Sequence, residues 1–313
     1  MSETAGINVN NRLHGVLAPV VTPFDAQLRP DAGRLARHCR WLLDNDVSLA
    51  VFGTNSEANS MSSGEKIELL DRLIEAGLPP TRMMPGTGCC ALTDSVELTR
   101  KAVSLGCAGV LMLPPFYYKG VSDDGLYRSY AEIIERVGDA RLRIYLYHIP
   151  QVSGVAITLT LIERLLRDYP GSVAGLKDSS GDWDNTRAIL EQFGPEGFDV
   201  FCGSESFLLA TLRHGGKGSI TATANVNPAP ISRLYREHTS DDADAQQAAL
   251  NTVRDLFQGY VMIPGMKAVI AHYLNDPEWS RVRPPLDEMV GVERERLVAS
   301  LQRIGFEMPG LVG

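Results

Sequence analysis

Short apolar runs alternate with longer stretches in which apolar residues recur every three or four positions. The alternation continues from Gly15 to about residue 235 with no compositional break. Eight of the short runs read as strands, over 15–21, 49–52, 82–84, 109–113, 143–147, 173–177, 198–202 and 218–222. They lack polar alternation, as expected of parallel strands covered on both faces. The stretches between them carry helix boundaries. Ser62 and Glu65 have capping-box spacing, Ile67, Leu70, Leu73 and Ile74 then form an apolar face, and Gly77 with Pro79-Pro80 ends the helix. A second helix starts at Thr93-Asp94, carries Val96, Thr99, Ala102 and Val103, and stops at Gly106. A third begins near Asp182-Trp183-Asp184, turns Ile189, Leu190 and Phe193 inward and ends at Gly194.

Eight strands, each followed by a helix, is the count of a (β/α)8 TIM barrel; an open doubly wound sheet usually has five or six such units. The expected organisation is a tail over 1–11, the α/β barrel over 12–235 and a C-terminal helical region over 236–313 packed on it. Its helices are expected over 246–258, 264–274 and 286–304, and Asp241-Asp242-Ala243-Asp244 reads as a solvated helix start.

Composition narrows the function. The chain has 313 residues, 44% of them hydrophobic and 22% charged, enough to bury a large core. A net charge of −8 and dispersed arginines argue against a nucleic-acid partner. The first twelve residues lack a signal-peptide pattern, and no run of about 18 apolar residues suggests a membrane span. A cytoplasmic location without a membrane partner is therefore expected. Five cysteines without C-x-x-C spacing suggest neither a disulfide framework nor a zinc site.

In a barrel, chemistry belongs at the carboxyl ends of the strands. Of 30 basic residues only six are lysines, and one of them, Lys177, ends an apolar strand and opens the polar loop Asp178-Ser179-Ser180-Gly181. Burial at such a place disfavours a lysine's ammonium form, and the neutral amine is the form that attacks a carbonyl to make a Schiff base. The structural alternative is a snorkelling side chain. Lys66 and Lys101 fall on polar helix faces; Lys119, Lys217 and Lys267 sit in a loop, between glycines and after Pro264-Gly265.

Other strand ends supply candidate partners. Gly53-Thr54-Asn55-Ser56-Glu57 combines hydroxyls with a turn whose N–H groups suit a carboxylate, or is simply a polar loop capping the next helix. Glu57 fits a structural role, accepting hydrogen bonds from the loop. By strand alternation Tyr145 and Tyr147 face the same way, so one of them reaches the mouth, where a phenol can pass protons to and from a carbinolamine. His148 faces oppositely and reads as structural. Pro114-Pro115-Phe116-Tyr117-Tyr118 is an aromatic loop suited to lining a site or a subunit contact. The glycines at 215 and 216 precede their strand and Gly218 opens it, at the wrong end for a phosphate site.

Taken in order, Thr22-Pro23-Phe24, Gly53-Thr54-x-x-Glu57, Pro115-Phe116-Tyr117, Tyr147-x-x-Pro150, Gly175-Leu176-Lys177-Asp178 and the glycine-rich stretch into Ile220 resemble the dihydrodipicolinate synthase / N-acetylneuraminate lyase superfamily of class I aldolases, over roughly residues 12 to 300. The resemblance implies a (β/α)8 barrel, no organic cofactor or metal, a pyruvate or other 2-oxo acid substrate, and a homotetramer built as a dimer of dimers. It implies Lys177 as the Schiff-base lysine, Tyr147 as the proton relay, Thr54 as a hydroxyl link and Tyr117, or its neighbour Tyr118, as a second tyrosine lent across the dimer. It further implies that Gly53, Thr54 and Asn55 hold the carboxylate, with the backbone near Ile220 closing the pocket.

Two departures stand out. Asn55-Ser56 replaces the family's hydroxyl-glycine pair, and Val152 stands where lysine-pathway synthases carry an arginine for the second substrate's carboxylate. The change at 152 removes a bidentate anion clamp. The expectation is thus a lyase that cleaves, condenses or dehydrates a 2-keto-3-deoxy sugar acid or a similar 2-oxo acid, with distal specificity set by Val152, Tyr118 and Cys202. Two alternatives are 4-hydroxy-tetrahydrodipicolinate synthase, from pyruvate and aspartate semialdehyde, and a catalytically silent, ligand-binding barrel.

Overall fold

The computed structural model describes residues 12–312, so the expected tail over 1–11 lies outside the described residues. Seven parallel strands form one curled sheet: β1 (Gly15–Ala18), β2 (Val47–Leu49), β3 (Val110–Met112), β4 (Ile144–His148), β5 (Val173–Asp178), β6 (Asp199–Cys202) and β7 (Gly218–Ile220). Their order is β2-β1-β7-β6-β5-β4-β3. Helices follow in the gaps, with Ser62 and Glu65 forming the expected capping box.

The stretch at 82–84 is not a ladder strand. It is drawn into two isolated parallel bridges, Leu49 to Met83 and Gly86 to Leu111, which connect to the strands at both ends of the order. The Met84 N–H donates to the Leu49 carbonyl (2.8 Å) and the Leu111 N–H to the Pro85 carbonyl (2.9 Å). Pro85 has no N–H for a ladder. Gly86 lies so close to β2 that a Cβ would meet the Phe52 carbonyl oxygen at 2.1 Å.

Strand alternation sorts the core. Leu17, Tyr145, Tyr147, Ala174, Phe201 and Ile220 share a cluster inside the curl. Ile144, Leu146, Val173 and Leu176 face the helices. Gly175 is required where the sheet tightens, because a Cβ would meet the Asp199 carbonyl at 2.3 Å and the Tyr145 ring at 2.8 Å. Tyr145 fills the amino-terminal end, its hydroxyl donating to Asp199 (3.0 Å).

The C-terminal region is helical as expected, over Ala243–Gln258, Met262–Leu274 and Gly291–Arg303. The last begins later than expected, after the extended Val290. Phe257, Met266 and Leu297 share one core cluster with Val16 and Leu49. Among the described residues no helix is long and apolar enough to cross a membrane.

Two lysines are more deeply buried than their helical patterns suggest. The inward face of Ser63–Glu75 is Lys66, Leu69, Leu70 and Leu73, one residue out of step with the expected face, and Lys66 Nζ lies 3.8 Å from Cys89 Sγ. Lys267 is wholly buried and donates to Glu57 Oε1 at 2.7 Å. Burial pulls its ammonium down to about 8, against the pull of Glu57 and Glu288 that holds it up. Glu57, itself left-handed (φ 57°), also accepts from the Arg283 N–H (2.8 Å), so the pair fastens the 53–57 turn to Met262–Leu274. Removing one partner of a buried pair strands the other charge, so Lys267→Met should destabilise the protein by about 3–5 kcal/mol in urea melts. Glu57→Gln combined with Lys267→Met should recover most of that loss; a single-variant cost below about 1 kcal/mol would contradict the latch.

Candidate active site

β5 carries Lys177 to the carboxyl end of the sheet, and the ladder sets Tyr147 beside it on β4 and Phe201 on β6. Lys177 is 2% exposed. Its Nζ stands over the Tyr147 ring, 4.2 Å from the centroid. Thr54 Oγ1 lies 3.3 Å from the Tyr147 hydroxyl. Lysine, phenol and threonine therefore converge from β5, β4 and the turn after β2.

The phenol of Tyr147 is poised. Burial pushes its pKa up, but the positive charge of Lys177 and hydrogen bonding with Thr54, Lys177 and Ser179 outweigh that and leave it below the ordinary tyrosine value. A cavity of about 600 Å³ opens over these groups, with Thr54, Asn55, Val152, Ser179, Phe207 and Arg254 among its walls. That volume suits a small polar ligand.

The flanking groups mostly hold the frame. Ser56 is fully buried; it takes the Gly53 N–H on its hydroxyl (3.1 Å) while its carbonyl accepts from Thr22 Oγ1 (2.7 Å), so it braces the turn and leaves Thr54 and Asn55 facing the cavity. Asp178 accepts from the Ser180 N–H (2.8 Å), Asn185 Nδ2 (2.9 Å) and Thr186 Oγ1 (2.7 Å) and fixes the loop after Lys177. His148 faces away, its Nδ1 accepting from the Ile157 N–H (3.0 Å), and burial lowers its pKa. Among the described residues no group of three or more His, Cys, Asp or Glu is placed to hold a metal ion.

The expected residues are only partly brought together. Lys177, Tyr147, Thr54, Asn55 and Val152 share the cavity, and Gly53 lines a narrow recess behind Thr54 and Tyr147. Ile220 lies inside the curl and does not reach the cavity wall, which Ala222 supplies instead. Tyr117 is 74% exposed, edge-on to Tyr118 with centroids 5.3 Å apart, and is not brought to Thr54 within this chain. Cys202 is misplaced as a specificity group. It pairs with Asp178, one residue out of phase with Lys177, and its buried thiol turns to the Gly218 carbonyl (3.5 Å).

Sequence reasoning missed Arg254, Gln258 and Met262, which cover the cavity from the C-terminal helices. The available signal was weak: Arg254 and Gln258 are four apart beside the buried stripe of Leu250, Val253 and Phe257.

Comparison with known proteins places this arrangement. Residues 12–304 match the model of the dihydrodipicolinate synthetase family. An "Uncharacterized DapA-like lyase" of Chloroflexus aurantiacus is 34% identical over 93% of this chain and 96% of its own length. The 4-hydroxy-tetrahydrodipicolinate synthase of Thermus thermophilus is 32% identical over 93% of this chain and 96% of its own. The crystal structure of dihydrodipicolinate synthase from Agrobacterium tumefaciens superposes with a TM-score of 0.86 at 28% identity, covering 93% of this chain and 99% of that one.

Proposed function

The chain belongs to the dihydrodipicolinate synthetase family and is a lyase, and from that premise we propose that Lys177 is its Schiff-base nucleophile toward a 2-oxo acid. The observation that carries the reading is the Lys177 Nζ over Tyr147, with Thr54 at the phenol. The amine adds to the keto carbon, a proton delivered by Tyr147 lets the carbinolamine hydroxyl leave as water, and the protonated imine then draws electrons from the adjoining carbon. In cleavage the bond to the departing carbonyl fragment breaks toward the imine and leaves the enamine, which regains a proton before hydrolysis frees Lys177; in dehydration loss of a proton from the adjoining carbon gives the same enamine, which then expels a hydroxyl as water. A phenol held below its ordinary pKa gives up its proton more readily, and Thr54 keeps its hydroxyl aimed.

In this reading the turn at Gly53, Thr54 and Asn55 holds the carboxylate of pyruvate or another 2-oxo acid. The bridging stretch at 83–86 counts as the eighth strand of a (β/α)8 barrel over 12–235, with 236–313 packed on it. Tyr117 and Tyr118, both exposed, suit contact with a second copy, in which Tyr117 completes the relay within a homotetramer.

Val152 lines the cavity and supplies no charge for a second carboxylate. With the synthases' anion clamp absent from this position, the substrate in this reading is a 2-keto-3-deoxy sugar acid or similar, rather than the pyruvate and aspartate semialdehyde of the biosynthetic synthase, and any second carboxylate has to be held from elsewhere in the wall. A steady-state panel of 2-oxo acids tests this. A sugar acid should exceed the semialdehyde pair in kcat/KM by roughly a hundredfold, the scale of a lost charged hydrogen-bond pair. Equal or better turnover of the semialdehyde pair would establish the synthase instead.

A further inference from the structure

Lys177 is not the only cation in the cavity wall. Arg254, from Ala243–Gln258, is the second, and its side chain is 13% exposed. One edge of its guanidinium is committed: Nη1 donates to Glu205 Oε2 (3.3 Å) and to Thr221 Oγ1 (3.4 Å). Glu205 is itself saturated, because Thr221 donates to one of its oxygens and Thr223 to the other. Arg254 Nε, by contrast, is buried with no partner among the described residues. An unmade hydrogen bond on a buried donor is costly, so a cation that only neutralised Glu205 has no reason to leave that edge empty.

The same chain shows what a filled edge looks like. Arg34 places Nη1 on Asp31 (2.6 Å) and Nε on Asp276 (2.8 Å), one guanidinium between two carboxylates. At Arg254 the first carboxylate is present, and the residue itself stands in the cavity wall. The one carboxylate in the wall, Asp178, is consumed by its own loop and does not compete. Val152, also in the wall, adds no charge.

We infer that Arg254 is a specificity-determining residue that takes a carboxylate at the end of the substrate remote from the imine. The preferred substrate is then a 2-oxo acid with an acid group at both ends. This rests on the Schiff-base reading of Lys177, which orients the keto end. Glu205, Thr221 and Thr223 are positioning residues that hold the guanidinium's other edge.

The test compares a 2-keto-3-deoxy aldarate with the aldonate of equal length, which ends in a hydroxyl. Wild type should favour the aldarate. Arg254→Gln should lower kcat/KM for the aldarate on the order of a hundredfold, mainly through KM, and change the aldonate less than about threefold, while borohydride trapping of pyruvate on Lys177 persists. Should Arg254→Gln unfold because Glu205 is stranded, the double variant with Glu205→Gln removes both charges together and the same contrast applies. Equal losses on both sugar acids, or none on either, would overturn the inference even with trapping intact. An Arg254-dependent loss confined to pyruvate with aspartate semialdehyde, whose carboxylate is also remote, would support Arg254 while overturning the sugar-acid reading. Loss of trapping in wild type would instead remove the Schiff-base premise.

Discussion

Lys177→Arg should lower turnover by at least about 10⁴-fold while leaving the fold intact, the scale on which enzymes lose activity with their nucleophile. Arginine retains the positive charge and much of the stem but forms no imine under these conditions, so the substitution separates charge from nucleophilicity. Lys177 is buried beside Tyr147, so a larger head group strains the site. Lys177→Met serves as the control: similar in volume and uncharged, it should melt near the wild-type temperature and be equally inactive. Residual activity within about tenfold of wild type in either variant would assign the chemistry to another group.

Tyr147→Phe carries the second largest expected effect, a fall in kcat of about 10²–10⁴-fold, the range for losing a positioned acid–base group. Phenylalanine keeps the ring beneath the Lys177 Nζ and removes only the hydroxyl that meets Thr54. Imine formation, followed by the rate of borohydride-trappable adduct, should slow along with turnover because the carbinolamine loses its proton donor. A variant that turns over at the wild-type rate would show the phenol to be packing alone.

Strand periodicity made the centre of this site legible. Apolar runs ending in Lys177, Tyr147 and Gly53-Thr54 place those groups at one end of a parallel sheet whatever the helices do, and parity on each strand sets their direction. The same parity excludes Cys202, because its ladder partner is Asp178 rather than Lys177. What stayed hidden depends on tertiary packing. Glu57 and Lys267 are 210 residues apart, and nothing local joins them. Arg254 becomes part of the site only because Ala243–Gln258 lies over the mouth, and helical spacing alone marks it as a residue flanking an apolar stripe. Lys66 shows how a one-residue error in a helical face converts a buried lysine into an apparently solvated one. The stretch at 82–84 reads as a strand in the sequence, but Pro85 and the tight approach of Gly86 reduce it to bridges.

One amine held against a phenol is the claim on which every proposed step depends. Borohydride reduction in the presence of pyruvate, followed by peptide mass spectrometry, reads it directly. The account predicts one reduced pyruvate adduct per chain, on Lys177, and none without the 2-oxo acid. An adduct on Lys66 or Lys267, or no adduct at saturating pyruvate, would contradict it.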